Sequence, residues 1–156
     1  MNKMLYPMIF IVPSLVLLIY FLFYRTGIKN ISKVAIKGKA ISVEIADTEV
    51  KRMKGLMFKE SLGNNSGMLF IFPNLAKHSF WMANTKISLD IIWIGEDLKI
   101  VYISPNTPPC TQTGTLQAYC QSYAPSIPAK YVLEVNGGWC EKNTVMVGDE
   151  MSLKYD

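Results

Sequence analysis

From Met4 to Tyr24 the chain runs for 21 residues without a charged side chain, bracketed by Lys3 and Arg25. Wound as an α-helix, such a run would be roughly 31 Å long, against a bilayer hydrocarbon core of roughly 30 Å. Its centre, Ile9-Phe10-Ile11-Val12 and Leu15-Val16-Leu17-Leu18-Ile19, is apolar on every helical face, as lipid requires. Pro7 suits a helix start, Pro13 is tolerated in a membrane helix, and Tyr6, Tyr20 and Tyr24 suit the interfacial belts. The bulky stretch Tyr20-Phe21-Leu22-Phe23-Tyr24 that follows lacks the small residues of a signal-peptidase site. The expectation is a single-pass signal anchor over residues 1–28, a juxtamembrane segment with the first strand over 29–39, and one domain over 40–154.

The remainder is long enough for one domain and too short for two. Beyond residue 29 there are 13 basic and 12 acidic side chains, nearly balanced. A surface built to neutralise several phosphates shows a basic excess, so nucleic acid is excluded as a partner.

In the soluble part, period-two alternation predicts a hairpin over Ile31–Asp47, turning at Gly38-Lys39. A short helix capped by Asp47 or Thr48 is predicted through about Met57, with Val50, Met53, Lys54 and Met57 on an apolar inner face. Strands follow at Met68–Phe72, Ser79–Met82, Ile87–Ile94, Lys99–Ile103, Lys130–Val135, Val145–Val147 and Met151–Leu153, with a short helix near Trp139–Asn143. Residues 105–128 carry five prolines and read as a loop. The predicted fold is mainly β with one or two short helices, a compact and partly closed barrel-like domain behind one transmembrane helix.

Several strings resemble the domain of unknown function 192 family, also called uncharacterised protein family 0127. They are Arg52-x-x-Gly55-Leu56-Met57, Gly67-Met68-Leu69-Phe70-x-Phe72, Phe80-Trp81-Met82-x-Asn84-Thr85 and Leu89-Asp90-Ile91-Ile92. Further on come Pro108-Pro109-Cys110, Cys120-x-x-Tyr123-x-Pro125, Tyr131-Val132-Leu133-Glu134-Val135-Asn136-x-Gly138 and Gly148-Asp149. The resemblance covers about residues 40–154 and implies a small, mostly β domain, often behind an export signal or anchor, without an established activity. Ala83 stands where many relatives carry a basic residue.

Cys110 and Cys120 close an 11-residue segment inside the proline-rich loop. Their spacing is not that of a thioredoxin-type redox pair, so they are read as a structural disulfide, which requires an oxidising compartment. Arg25, Lys29 and Lys33 after the apolar run favour a cytoplasmic domain by the positive-inside rule. The cysteine pair points the other way, and the domain is placed outside the cytoplasm. Cys140 is left as a buried small side chain. With three Cys and one His, His78, and no tight ligand pair, no metal set or cofactor site is recognisable. His78 reads as an exposed loop residue. Met57, Met68 and Met82 could hold Cu(I), but methionine is also an ordinary core filler.

Asp90 sits on an apolar strand and needs a partner, for which Arg52, the only arginine beyond residue 29, is the candidate. Arg52, Trp81, Asn84, Thr85, Asp90 and Glu134 are the candidate lining of a polar pocket. No nucleophile–base pair is recognisable, so the functional expectation is a non-enzymatic binding or accessory module at the membrane, its ligand unidentified. The alternatives are a hydrolase-like or carbohydrate-acting enzyme using Asp90 and Glu134 as paired carboxylates, and a protein-interaction domain working through the proline-rich loop.

Overall fold

A computed structural model of the protein describes residues 31–110 and 120–155. The expected anchor lies outside the described residues, and no helix among the described residues is long and apolar enough to cross a membrane.

Strands β1 (Ile31–Ile36) and β2 (Lys39–Ala46) form the predicted hairpin. Its turn falls one residue earlier than the sequence suggests, on Lys37 and Gly38, both with positive φ (49° and 75°). Left-handed turns of this kind match the twist of the strands they join. Helix α1 (Glu49–Lys54) leads to β3 (Ser66–Ala76), β4 (Phe80–Trp81), β5 (Leu89–Ile94) and β6 (Ile100–Thr107). Then come β7 (Ser122–Tyr123), β8 (Ala129–Asn136), α2 (Trp139–Lys142) and β9 (Met151–Tyr155).

Seven strands make one sheet in the order β6-β5-β8-β3-β2-β1-β9, while β4 and β7 pair separately. Among the described strands only the β2–β3 pair is parallel, and α1 lies in the longer connection that a parallel pair demands. The sheet curls until its two edges touch at one end. There Lys99 bridges Glu150, Ile100 N donates to Asp149 O and Met151 N donates to Leu98 O, both at 2.9 Å. The result is a half-barrel, mainly β with two short helices.

Three elements depart from the sequence reading for local reasons. Strand β3 runs past Pro73 to Ala76, because a register shift against β8 between Ile71 and Ala76 lets the imide by without a ladder bond. Strand β6 continues through Pro105 to Thr107, which an edge strand allows. The strand expected at Val145–Val147 is absent: Val145 packs into the core, and Met146 and Val147 are exposed on the approach to β9.

Both faces of the central strands are covered, which is why all six residues of β5 are buried. One cluster draws residues from all seven strands, among them Ile36, Ile41, Leu69, Ile92, Ile100, Leu133 and Met151, together with Trp139 and Cys140 of α2. A surface to which every strand contributes is the inside of the curl, and α2 stops it. The other face belongs to the central strands, with Met68, Phe70, Ile91, Trp93 and Val132, and is covered by Leu56 and Met82. Met68 and Met82 therefore serve as core fillers on that face.

Candidate functional site

Helix α1 is short, and one polar side chain fixes its orientation. Thr48 caps its first turn by accepting from Lys51 N at 3.3 Å, and Gly55 ends it with φ at 48°. Arg52 reaches back to the sheet, where its Nη1 donates to the carbonyls of Asp47 and Ile71 at 2.7 and 2.8 Å, and the guanidinium lies 5.3 Å from the centre of the Phe72 ring. At about 100° per residue, an inward Arg52 turns Val50 nearly to the opposite side. Val50 and Met53 are indeed 77% and 70% exposed, which overturns the expected apolar inner face.

Opposite the helix, Phe80 and Trp81 form β4, paired with Tyr123 and Ser122 of β7. Phe80 packs edge-on against both Phe70 and Trp93, whereas Trp81 is 52% exposed. Between α1 and β4 lies an open cleft of about 280 Å³, walled by Met53, Phe72, Phe80 and Trp81, with Glu49, Arg52 and Ser79 as its polar groups. His78 stacks on the outer wall residue Phe72, with ring centres 3.5 Å apart, and its Nε2 pairs with Asn74 O at 3.1 Å. It is half-buried rather than an exposed loop histidine, and burial lowers its pKa.

A smaller cavity of about 30 Å³ shares Arg52, Met53, Phe80 and Trp81 with the cleft and also meets Thr85 and Glu134. Glu134 is buried, and its Oε2 has no hydrogen-bond partner among the described residues. Burial pushes its pKa up to about 8, so at neutral pH it stands as an uncharged acid beside the cleft.

Four of the six candidate residues, Arg52, Trp81, Thr85 and Glu134, thus come together. The other two do not line either space. Asn84 shapes the turn after β4: it adopts φ at 56°, which Asn tolerates, and its carbonyl accepts from Phe58 N at 2.9 Å. Asp90 forms no ion pair with Arg52. It is fully buried on the opposite face, where Oδ1 accepts from Asn106 N at 2.7 Å and Gly138 N at 2.9 Å, and Oδ2 accepts from Cys140 N at 2.7 Å. Three amides supply what the arginine was expected to supply. The neighbouring Cys140 thiol is held well above its ordinary pKa by burial and by the Asp90 carboxylate, and is buried and inert.

The register between β5 and β8 removes the paired-carboxylate enzyme reading. Asp90 faces Val135 and Ile91 faces Glu134 across the β5–β8 pair, and residues directly opposite share a face while neighbours alternate. Asp90 and Glu134 therefore point to opposite sides of one sheet, and both are buried. They cannot flank a common bond.

Cys110 and Cys120 are joined, with Cα atoms 5.9 Å apart. The bond sits against the cleft wall: Cys110 N donates to Met82 O at 3.2 Å, and Ser122, two residues after Cys120, pairs with Trp81. The disulfide thus joins Cys110, bonded to the residue that follows β4, to Cys120 just ahead of β7, the strand paired with β4. In the chain-entropy model an 11-residue ring is worth about 3 kcal/mol. Replacing both cysteines by alanine is expected to destabilise the domain by about that amount, and to speed amide hydrogen exchange at residues 80–83 and 122–123. Unchanged exchange there in the double variant would mean the ring does not support the wall.

Met53, Phe72, Ser79 and Phe80 were not singled out from the sequence as lining residues. Ser79 carried one available signal, its place beside the Phe80-Trp81 string; its hydroxyl pairs with that of Ser122.

Residues 32–153 match the model of the family DUF192, described as Uncharacterized ACR. A UPF0127 protein of Pyrococcus furiosus is 29% identical over 74% of this chain and 90% of its own length. A UPF0127 protein of Thermococcus sibiricus is 30% identical over 77% of this chain and 72% of its own. Among solved structures, a protein of unknown function from Novosphingobium aromaticivorans superposes with a TM-score of 0.69 at 32% identity, covering 77% of this chain and 83% of that one. A putative transcription regulator from Sinorhizobium meliloti superposes with a TM-score of 0.68 at 28% identity, covering 78% and 92%.

Proposed function

The chain belongs to the DUF192 family, a membership that defines its fold and leaves its activity open, and on that premise we propose that it is a binding module whose ligand site is the cleft between α1 and β4. Met53 and Trp81 offer an exposed apolar grip, Arg52 a fixed cation and Glu134 an uncharged acid at the inner end. The observation that carries this reading is Glu134: a buried carboxyl whose Oε2 no described protein group satisfies, placed at a cavity that shares its walls with an open cleft. Buried polar groups are normally paired, and an unpaired one beside an opening is the kind of group a ligand completes.

The module is anchored to the membrane through the apolar run of residues 4–24 and faces the extracytoplasmic side. The charge-free sequence supports the first statement and the Cys110–Cys120 bond supports the second. A reporter fused after Asp156 and assayed for activity on each side of the membrane tests this placement; activity of a cytoplasm-only reporter overturns it.

The binding reading is tested with a set of small aromatic and anionic fragments, followed by amide chemical shifts. Saturable shifts are expected at residues 52, 53 and 79–81, and Trp81→Ala should abolish them without lowering thermal stability, since that ring is half in solvent. Hits that ignore these residues, or survive Trp81→Ala, would remove the cleft as the site.

A further inference from the structure

We propose a second, independent binding site at the other end of β2, a polar cavity suited to a small hydroxylated anion. Lys39 opens β2 and Ala46 closes it, so this cavity is separated from α1 by about 25 Å of strand. It is an open hollow of about 480 Å³, lined by two lysines, Lys39 and Lys142, by four asparagines, and by no carboxylate. Neither lysine has an ion pair among the described residues.

The asparagine bonding leaves complementary groups over. Asn136 Nδ2 donates to the carbonyls of Leu62 and Gly63 at 3.2 and 2.9 Å, and Asn143 Nδ2 donates to Trp139 O at 2.8 Å. Each amide therefore spends donors on its own wall and keeps an acceptor. Asn65 does the reverse, accepting from Trp139 Nε1 at 3.3 Å through Oδ1 and keeping its Nδ2 donors. A wall holding spare acceptors and spare donors matches hydroxyl groups, which both give and take hydrogen bonds. Two ammonium groups in a lining without a carboxylate favour a ligand that carries an anionic group.

The wall is also built to stay put. Asp90, fully buried, binds Gly138 N and Cys140 N and so fixes the turn from beneath. A Cβ on Gly137 would lie 2.5 Å from Asn106 Oδ1 and 2.9 Å from Ser88 Cβ, so that residue packs closely against β6 and the residue that precedes β5. At Gly138, φ is +80° and a Cβ would meet nothing within 4 Å, so the backbone itself faces open space and a ligand can approach it closely.

The shared chemistry is a hydroxylated carbon skeleton carrying one anionic group, which either a carboxylated or a phosphorylated sugar supplies. Titration of the full chain with glucuronate, glucose 6-phosphate, glucose and inorganic phosphate, followed by amide shifts, separates these sources. One or both sugar anions should move residues 64–65 and 136–143 saturably, with glucose and inorganic phosphate each about tenfold weaker or worse, since each lacks one half of the recognition. Whichever sugar anion binds more tightly identifies carboxylate or phosphate as the charge read. A Lys39→Gln/Lys142→Gln variant with wild-type melting should lose about tenfold in affinity for that probe. Three results overturn the proposal: no saturable shift with either sugar anion, inorganic phosphate binding as well as both, or affinity indifferent to the lysine pair. Each is read at residues distinct from those of the α1–β4 cleft, so the two sites fail separately.

Discussion

Replacing Asp90 by alanine is expected to destabilise the domain by about 3–5 kcal/mol, a loss of roughly 10–20 °C in melting temperature. The carboxylate is fully buried and binds three backbone amides, those of Asn106, Gly138 and Cys140. Its removal leaves three donors without partners, each at a cost of about 1–3 kcal/mol, less whatever water recovers in the space vacated. These amides belong to β6 and to the turn into α2, whereas Asp90 belongs to β5, so one side chain ties three segments of the half-barrel together. Asp90→Asn separates the contributions. It retains an oxygen for Asn106 N and Gly138 N but can present an amide to Cys140 N, and about half the loss is expected. Thermal unfolding of the two variants checks this. Melting within about 2 °C of wild type for Asp90→Ala would show that the three amides find other partners.

Glu134 is expected to make stability fall as pH rises. Its folded-state pKa stands at about 8 against an ordinary value of 4.5, raised by burial. Below the ordinary value the group is protonated in folded and unfolded chains alike, and the term is absent. Between about 4.5 and 8 the unfolded chain releases this proton while the folded chain keeps it, so the unfolded state gains and stability declines. Above about 8 both states are ionised and the decline stops. The loss across the window is of the order of a few kcal/mol at about 1.4 kcal/mol per pH unit. Glu134→Gln removes the titration and keeps the shape. Chemical denaturation of both proteins at pH 5, 6.5 and 8 should show the wild type losing stability relative to the variant at each step. Parallel pH profiles would mean the carboxyl is solvated or paired in the folded protein. The same proton links binding at the cleft to pH: a ligand group that accepts from the carboxyl binds below about pH 8, and one that requires the anion binds above it.

Elements whose cause is local were legible in the sequence. The β1–β2 hairpin, the strand at Leu89–Ile94 and the short helix at Trp139 all stand where the sequence suggests, and the first of these follows from alternation. The Cys110–Cys120 bond follows from spacing within a proline-rich segment. Elements whose cause lies elsewhere in the fold were not. Helical spacing assigned Val50 and Met53 to the inside, but in a helix of six residues the two carbonyls that Arg52 reaches outweigh the apolar periodicity. One of those carbonyls, Ile71 O, is 19 residues distant. The partners of Asp90 were hidden for a related reason. A buried carboxylate on a strand announces that it needs donors, and the nearest visible donor is a side chain. Backbone amides from 16 and 50 residues away carry no mark in the sequence. The opposition of Asp90 and Glu134 across the sheet required the β5–β8 register, which two separate strings cannot supply.

The placement of β9 governs when the molecule can be finished. Ile36 pairs with Met151 and Ile31 with Tyr155, so the last strand closes against the first across more than a hundred intervening residues. Until those five residues are available, the outer edge of β1 and the backbone at Leu98–Ile100 remain raw templates for any extended chain nearby. A nascent molecule whose β9 has not yet paired is therefore sticky along two borders at once, and both are sealed in a single event. Protection of this protein while it folds is a question of timing, concentrated on the docking of β9.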